Sequence, residues 1–157
     1  MNMINASEKY GKEDISREII SSRTFNVPVA SLFKAWTDPE LLAKWWGPKG
    51  FTNTFHEFDL KPGGDWKFIM HGPDGKNYDN HSTFIEIVEP ELIVFDHVCK
   101  PEFRVVATFE DNGKKSFLHW RMIFDSEELC NKVKVYAVTA NEENLDRLED
   151  VLKRFNV

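Results

Sequence analysis

Thr139–Phe155, TANEENLDRLEDVLKRF, sets the architecture of this chain. Leu145, Leu148, Val151, Leu152 and Phe155 recur at helical spacing and form one apolar stripe. Asp146, Arg147, Glu149, Asp150 and Lys153 fall away from that stripe. Thr139 and Glu142 have the spacing of a capping box, so the sequence predicts a helix over 139–155. Most of the chain before it reads as strands. Helices in proteins are held mainly by burial of an apolar face. This helix must therefore lay its stripe on the sheet that the strands form.

Towards the N-terminus, Ile15–Asn26 sets β-branched and aromatic residues between polar ones and predicts a first strand. Two short helices follow. Pro28 suits a first helical turn ahead of Val29, Leu32, Phe33 and Trp36. Asp38–Pro39 is a cap followed by proline ahead of Leu41, Leu42, Trp45 and Trp46, and Gly47–Pro48 stops that helix. Strands are predicted at Thr52–Phe58, Asp65–His71, Asn77–Val88, Leu92–Cys99, Phe103–Glu110 and Lys114–Phe124. In the second of these, Trp66, Phe68 and Met70 share one face, and Lys67, Ile69 and His71 share the other. Leu118, Trp120, Met122 and Phe124 share a face of the last. Asp125–Ser126 opens a helical stretch of undefined length ahead of the closing helix. The links between the later strands are too short for crossovers, so the sheet is antiparallel and the class is α+β. Residues 1–13 read as a polar tail open to disorder, and 14–157 as one domain.

The chain has 157 residues, enough for one domain with a real core. Lys+Arg 20 against Asp+Glu 26 leaves a net charge of −6 and no basic patch, which argues against nucleic acid and anionic membrane as partners. The N-terminus has no apolar run of signal-peptide or membrane-spanning type. Cys99 and Cys130 are far apart and outside any CxxC pattern, as in a cytoplasmic protein with reduced thiols. Phe 13, Trp 5 and Tyr 3 are many aromatics for this length. Composition alone favours a filled core over a pocket wall, since pockets are few per protein.

A family resemblance rests on a run of motifs. These are Arg23-Thr24-Phe25, Ala35-Trp36-Thr37-Asp38-Pro39-Glu40, Trp45-Trp46-Gly47-Pro48-Lys49-Gly50-Phe51, Lys61-Pro62-Gly63-Gly64-Asp65-Trp66 and Gly72-Pro73-Asp74-Gly75. Together with Asn144-Leu145-Asp146-Arg147-Leu148 they resemble the activator-of-Hsp90-ATPase-homologue family, within the START-like (SRPBCC) superfamily, over about Ile15–Phe155. The resemblance implies a helix-grip fold. In it a curved antiparallel β-sheet wraps a long C-terminal α-helix, and two short helices lie between the first two strands. It also implies a cavity between sheet and helix. Superfamily members bind lipids, sterols, polyketides or plant hormones there, and some are cyclases or hydrolases. The co-chaperone that names the family carries a separate Hsp90-binding domain, for which this chain has no room. Asp65, His71 and Leu92 depart from the family pattern.

The motifs of other chemistries are missing. His56, His71, His81, His97 and His119 show no HExxH or HxH pairing, so no metal or other cofactor is expected. There is no GxSxG elbow, and neither cysteine has a sequence reason for a lowered pKa. Gly63–Gly64 leads into a strand and is a turn, not a phosphate loop. Asp65, His71, Asp79, His81 and His119 are acid–base candidates if they face the cavity. The leading expectation is binding of a small hydrophobic or amphipathic ligand, lipid, sterol or polyketide-like, without covalent chemistry. Trp46, Trp66, Phe68, Met70, His71, His81, Phe84, Trp120, Met122, Asn144 and Leu148 would contact it. The alternatives are a cyclase or hydrolase acting through Asp65 or a histidine, and a modulator of a chaperone ATPase. The oligomeric state, monomer or homodimer, stays open.

Overall fold

The computed structural model describes residues 6–155. Its elements are α1 (Ala6–Tyr10), β1 (Glu18–Phe25), α2 (Val29–Thr37), α3 (Pro39–Trp45), β2 (Thr52–Phe58), β3 (Asp65–His71), β4 (Asn77–Val88), β5 (Leu92–His97), β6 (Phe103–Asn112), β7 (Lys115–Ile123) and α4 (Glu127–Arg154). The strands form one antiparallel sheet in the order β1-β7-β6-β5-β4-β3-β2. Register shifts at Phe55/Glu57 and Phe84/Glu86 mark bulges, which bend and twist the strands that carry them. The sheet curves around α4, with α2 and α3 inserted after β1, and this is the helix-grip α+β fold.

The ends of four expected strands move, the last of them by one residue at each end to Lys115–Ile123. β1 starts at Glu18 rather than Ile15 because Asp14 builds a turn: its Oδ1 accepts from Ser16 N and Oγ, and its carbonyl accepts from Arg17 N. β5 stops at His97, and β6 continues to Asn112.

The closing helix needs a larger correction. It starts at Glu127, not Thr139, and Ser126 is its cap, with Oγ accepting from Leu129 N at 3.1 Å. Neither Gly nor Pro interrupts the 28 residues, so nothing stops the helix at Thr139. Val135, Tyr136 and Val138 face outward and blur the apolar stripe in the first half. Phe155 also leaves the stripe. It lies at the C-cap, 48 % exposed, with Lys44 Nζ over its ring.

The core lies between the concave face of the sheet and α2, α3 and α4. The opposite face has its own small cluster, Leu92, Val94 and Val106. Ala6 and Tyr10 of α1, inside the segment read as a tail, pack against it. Lys9 Nζ donates to Glu86 at 2.9 Å, and the Tyr10 hydroxyl donates to the same carboxylate. Burial and that carboxylate push the Tyr10 pKa up to about 12. β5 is thus covered on both sides, which is why Leu92–Phe95 is apolar without alternation.

Among the described residues one ion pair is buried on both sides. Arg121 Nε and Nη2 reach Glu18 Oε1 and Oε2 at 2.7 and 3.0 Å, with side chains 4 % and 3 % exposed. Removing one partner strands the other charge out of water. Glu18→Gln is therefore expected to cost about 3–5 kcal/mol, read as a fall in the urea midpoint, whereas the joint change Glu18→Leu with Arg121→Met recovers most of it. Equal losses in the single and joint variants would contradict this account.

Candidate functional site

Alternation along the strands sorts the candidate residues. In the β3–β4 register Trp66 faces Ser82 and Phe68 faces Asn80, and these turn to the concave side. The intervening pairs, Lys67 with His81, Ile69 with Asp79 and His71 with Asn77, therefore turn to the convex side.

Between the concave face and the middle of α4 lies a cleft of about 220 Å³. On the same measure a single water needs roughly 10–15 Å³. Trp46, Trp66, Phe95 and Trp120 make its aromatic wall, with Trp46 central: its ring centroid is 5.2 Å from Trp66, 5.7 Å from Trp120 and 6.2 Å from Phe95. The helix side is built from Val133, Ala137, Ala140, Asn141 and Asn144, spaced to share one face of α4. The small Ala137 and Ala140 leave the space, and the exposed Tyr136 stands at the rim.

Trp46 is held by backbone capture. Arg147 Nη1 donates to the carbonyls of Trp46, Gly47 and Pro48 at 3.3, 2.8 and 3.0 Å. Its Nη2 donates to those of Lys44 and Phe51 at 3.0 and 2.9 Å. Asn53 Nδ2 adds a bond to Trp46 O at 2.8 Å. Gly47 has φ +98, a backbone conformation that side-chain-bearing residues rarely adopt, so glycine suits the bend. Partial burial lowers the Arg147 pKa. Arginine is nevertheless always charged, and its planar fork suits several acceptors at once.

The polar part of the lining carries no net charge. His97, 8 % exposed, lies against Phe103 with ring centroids 4.6 Å apart. Its Nδ1 is 2.8 Å from Pro101 O and its Nε2 is 2.9 Å from Asn80 Oδ1. Burial lowers its pKa below the usual imidazole value, so at pH 7 the ring is neutral and donates through only one of these two nitrogens. Asn141 Nδ2 contacts Ser21 Oγ at 3.5 Å and Met122 Sδ at 3.3 Å. Asn144 Oδ1 is buried without a partner, as are Trp66 Nε1 and Trp120 Nε1.

Of the residues proposed from sequence, Trp46, Trp66, Phe68, Met70, Trp120, Met122 and Asn144 line the cleft. Phe84 lies in the solid core, its ring 5.5 Å from Phe58 and 6.2 Å from Trp66. Leu148 is also fully packed in that core, beyond the cleft. His71 points to the convex face, between Thr54 Oγ1 and Asn77 Oδ1, each at 2.7 Å. His81 is on the same face, 2.9 Å from Asp65 Oδ1. Its hydrogen bond lowers the Asp65 pKa. Asp79 lies beside His81 in a shallow convex pocket, and His119 pairs with Glu13. None of these acid–base candidates is part of the cleft lining.

Asn80, Ser82, His97 and Asn141 were missed by the sequence reading. His97 follows the run Leu92–Phe95, whose two-sided burial hides the parity that would have turned it inward. Ser82 and Asn80 alternate with the apolar Phe84 and could have been placed by that count.

The fold and cleft define a START-like helix-grip domain. The sequence profile of the Activator of Hsp90 ATPase homolog 1-like protein family matches residues 26–153, and the chain belongs to that family, within the START-like (SRPBCC) superfamily. No curated protein matches the chain by sequence. Solved structures share the fold. A Nitrosomonas europaea protein aligns with a TM-score of 0.84 at 20 % identity, over 92 % of this chain and 99 % of its own. A Mycobacterium smegmatis protein aligns at 0.81 and 23 %, over 92 % and 96 %. A Silicibacter pomeroyi protein that bears the family's name aligns at 0.69 and 19 %, over 87 % and 97 %. Among the described residues no helix is long and apolar enough to cross a membrane.

Two measurements check this geometry. His97 has a folded pKa below the ordinary 6.5, so the unfolded chain binds the extra proton. Its contribution to stability is complete well above pH 6.5 and is lost as pH falls from there towards the folded value. Urea midpoints at pH 7.5 and 5.5 should therefore drop less in His97→Gln than in the parent; an equal drop would refute the assignment. The Asp65 shift acts below its ordinary 3.8 and lies outside that window. Arg147→Met removes the donors to five carbonyls, and a loss of about 2–4 kcal/mol is expected, with Arg147→Lys recovering less than half. Tryptophan emission should shift in both variants as Trp46 loosens.

Proposed function

We propose that this protein binds a small, predominantly apolar molecule in the cleft between the sheet and α4, without transforming it covalently. The observation that carries this reading is the cleft itself. It has a largely aromatic wall, a helix side made of small residues, and a few uncharged polar groups. Clefts of this composition are where small ligands lose most of their contact with water. Wall residues such as Trp66 are locked by their neighbours, with Phe68 stacked at 4.5 Å and Phe95 edge-on at 5.5 Å. The site is thus formed in advance of binding, which lowers the entropy lost on association.

A purely binding role is favoured over catalysis by position. The carboxylate–imidazole pairs Asp65–His81 and Glu13–His119 lie away from the cleft, and the one histidine in the lining is engaged by a carbonyl and an amide. General acid–base work needs such a group within hydrogen-bond reach of the reacting atom. Membership of the family supplies the fold and is compatible with ligand binding.

N-phenyl-1-naphthylamine, a neutral probe that brightens in apolar surroundings, tests the reading. Its emission should rise on titration with the protein. Ala137→Leu fills the space on the helix side and should weaken binding about tenfold, for a loss of about 1.4 kcal/mol, with an unchanged melting temperature. Superimposable titrations for parent and variant would mean that the probe binds elsewhere and would sink the proposal.

A further inference from the structure

The geometry points to an electrically neutral aromatic molecule carrying a hydroxyl group as the occupant, with that hydroxyl held by the Asn144 amide. This inference rests on the reading of the cleft as a ligand site and adds the chemistry it selects. Three observations converge on it.

The first is the absence of a counter-charge. The described lining contains no carboxylate, ammonium or guanidinium. Its one titratable imidazole is buried beside uncharged partners, the Pro101 carbonyl and the Asn80 amide. An ionised head group drawn into this space would leave water with nothing of opposite sign to meet it, and such burial is strongly disfavoured.

The second is the state of the polar groups. The Asn80 amide is used at both ends, Nδ2 on Tyr78 O at 3.1 Å and Oδ1 towards His97. The Asn141 Nδ2 lies against Ser21 and Met122. Asn144 differs. Its residue is 5 % exposed, and its Oδ1 has no hydrogen-bond partner. Buried polar atoms nearly always have one. The terminal amide turns readily about χ2, so the same side chain offers the cleft an acceptor or a donor. A hydroxyl is the smallest group that answers both. Trp66 Nε1 and Trp120 Nε1, also buried without partners, belong to the same wall.

The third is the shape of the wall. Trp46 meets Trp66 and Trp120 at tilted angles of 59° and 36°, and these rings present faces and edges on which another ring packs. Ala140, four residues before Asn144, leaves room for such a ring beside the amide.

Equilibrium dialysis of the full chain at neutral pH against 2-naphthol, naphthalene and 2-naphthoate tests this. The expected order places 2-naphthol about tenfold tighter than naphthalene, with 2-naphthoate weaker than 2-naphthol by about tenfold or more. Asn144→Leu should bring 2-naphthol down to the level of naphthalene while leaving naphthalene unchanged. If that variant does not fold, Asn144→Ala reads the same ratio. Naphthoate binding as tightly as naphthol would overturn the selection for a neutral ligand. An unchanged naphthol-to-naphthalene ratio in the Asn144 variant would overturn the role of the amide. In both cases the cleft would stand as an apolar site. If none of the three compounds binds, both this inference and the ligand-site reading fail.

Discussion

A single guanidinium ties α4 to the chain segment that carries Trp46. Arg147 lies on the flank of α4 and donates to the carbonyls of Lys44, Trp46, Gly47, Pro48 and Phe51, the stretch of chain that leaves α3 and enters β2. That stretch has no regular structure to satisfy its backbone, and a half-buried carbonyl without a donor is costly. The cation satisfies five such acceptors with one planar group. The helix therefore grips the connection through the backbone, and Trp46 is fixed as a consequence. Because Trp46 packs against Trp66, Trp120 and Phe95, the rigidity passes from α4 through the connection into the wall of the cleft. Gly47 completes the device, since its φ of +98 is a conformation that strains any residue with a side chain.

The helix itself divides into two working halves. From Leu145 onward its inward residues, Leu145, Leu148, Val151 and Leu152, are packed solid. From Val133 to Asn144 the inward residues are small or amide-bearing, and they face space. A uniform apolar stripe along the whole helix would close the fold into an ordinary core. The change from leucine to alanine and asparagine along one face is what separates a site from a core. Polar chemistry in the cleft thus comes from the helix as well as from the strands.

Much of the fold was legible in the chain because its signals are local. The strands at 52–58, 65–71 and 77–88 coincide with β2, β3 and β4, since turn-forming Pro, Gly and Asp residues bound them and alternation marks their faces. The face shared by Trp66, Phe68 and Met70 turns inward as that alternation requires. The site was legible only in part. His71 and His81 were assigned by residue type, whereas the pleat sends them to the convex side. His97 was passed over because α1 covers the other face of β5 and removes the polar alternation that would have revealed it.

The sequence by itself determined the class of the protein: an antiparallel sheet, two short helices after its first strand, and a long closing helix, all specified by periodicity, caps and turns over a few residues. Tertiary structure assigned the roles that depend on distant partners. Arg147, polar and off the apolar stripe, reads as a solvated residue until the 44–51 connection is brought against it. Leu148 and Phe84 read as cavity lining until packing fills the space in front of them. Thr139 reads as a cap until twelve further residues of helix are seen to precede it, from Glu127 onward. The physical reason is common to all three. Propensity and periodicity describe a residue's own turn or strand, while burial, cavity and hydrogen-bond partner are set by chain that lies far away in the sequence and close in space.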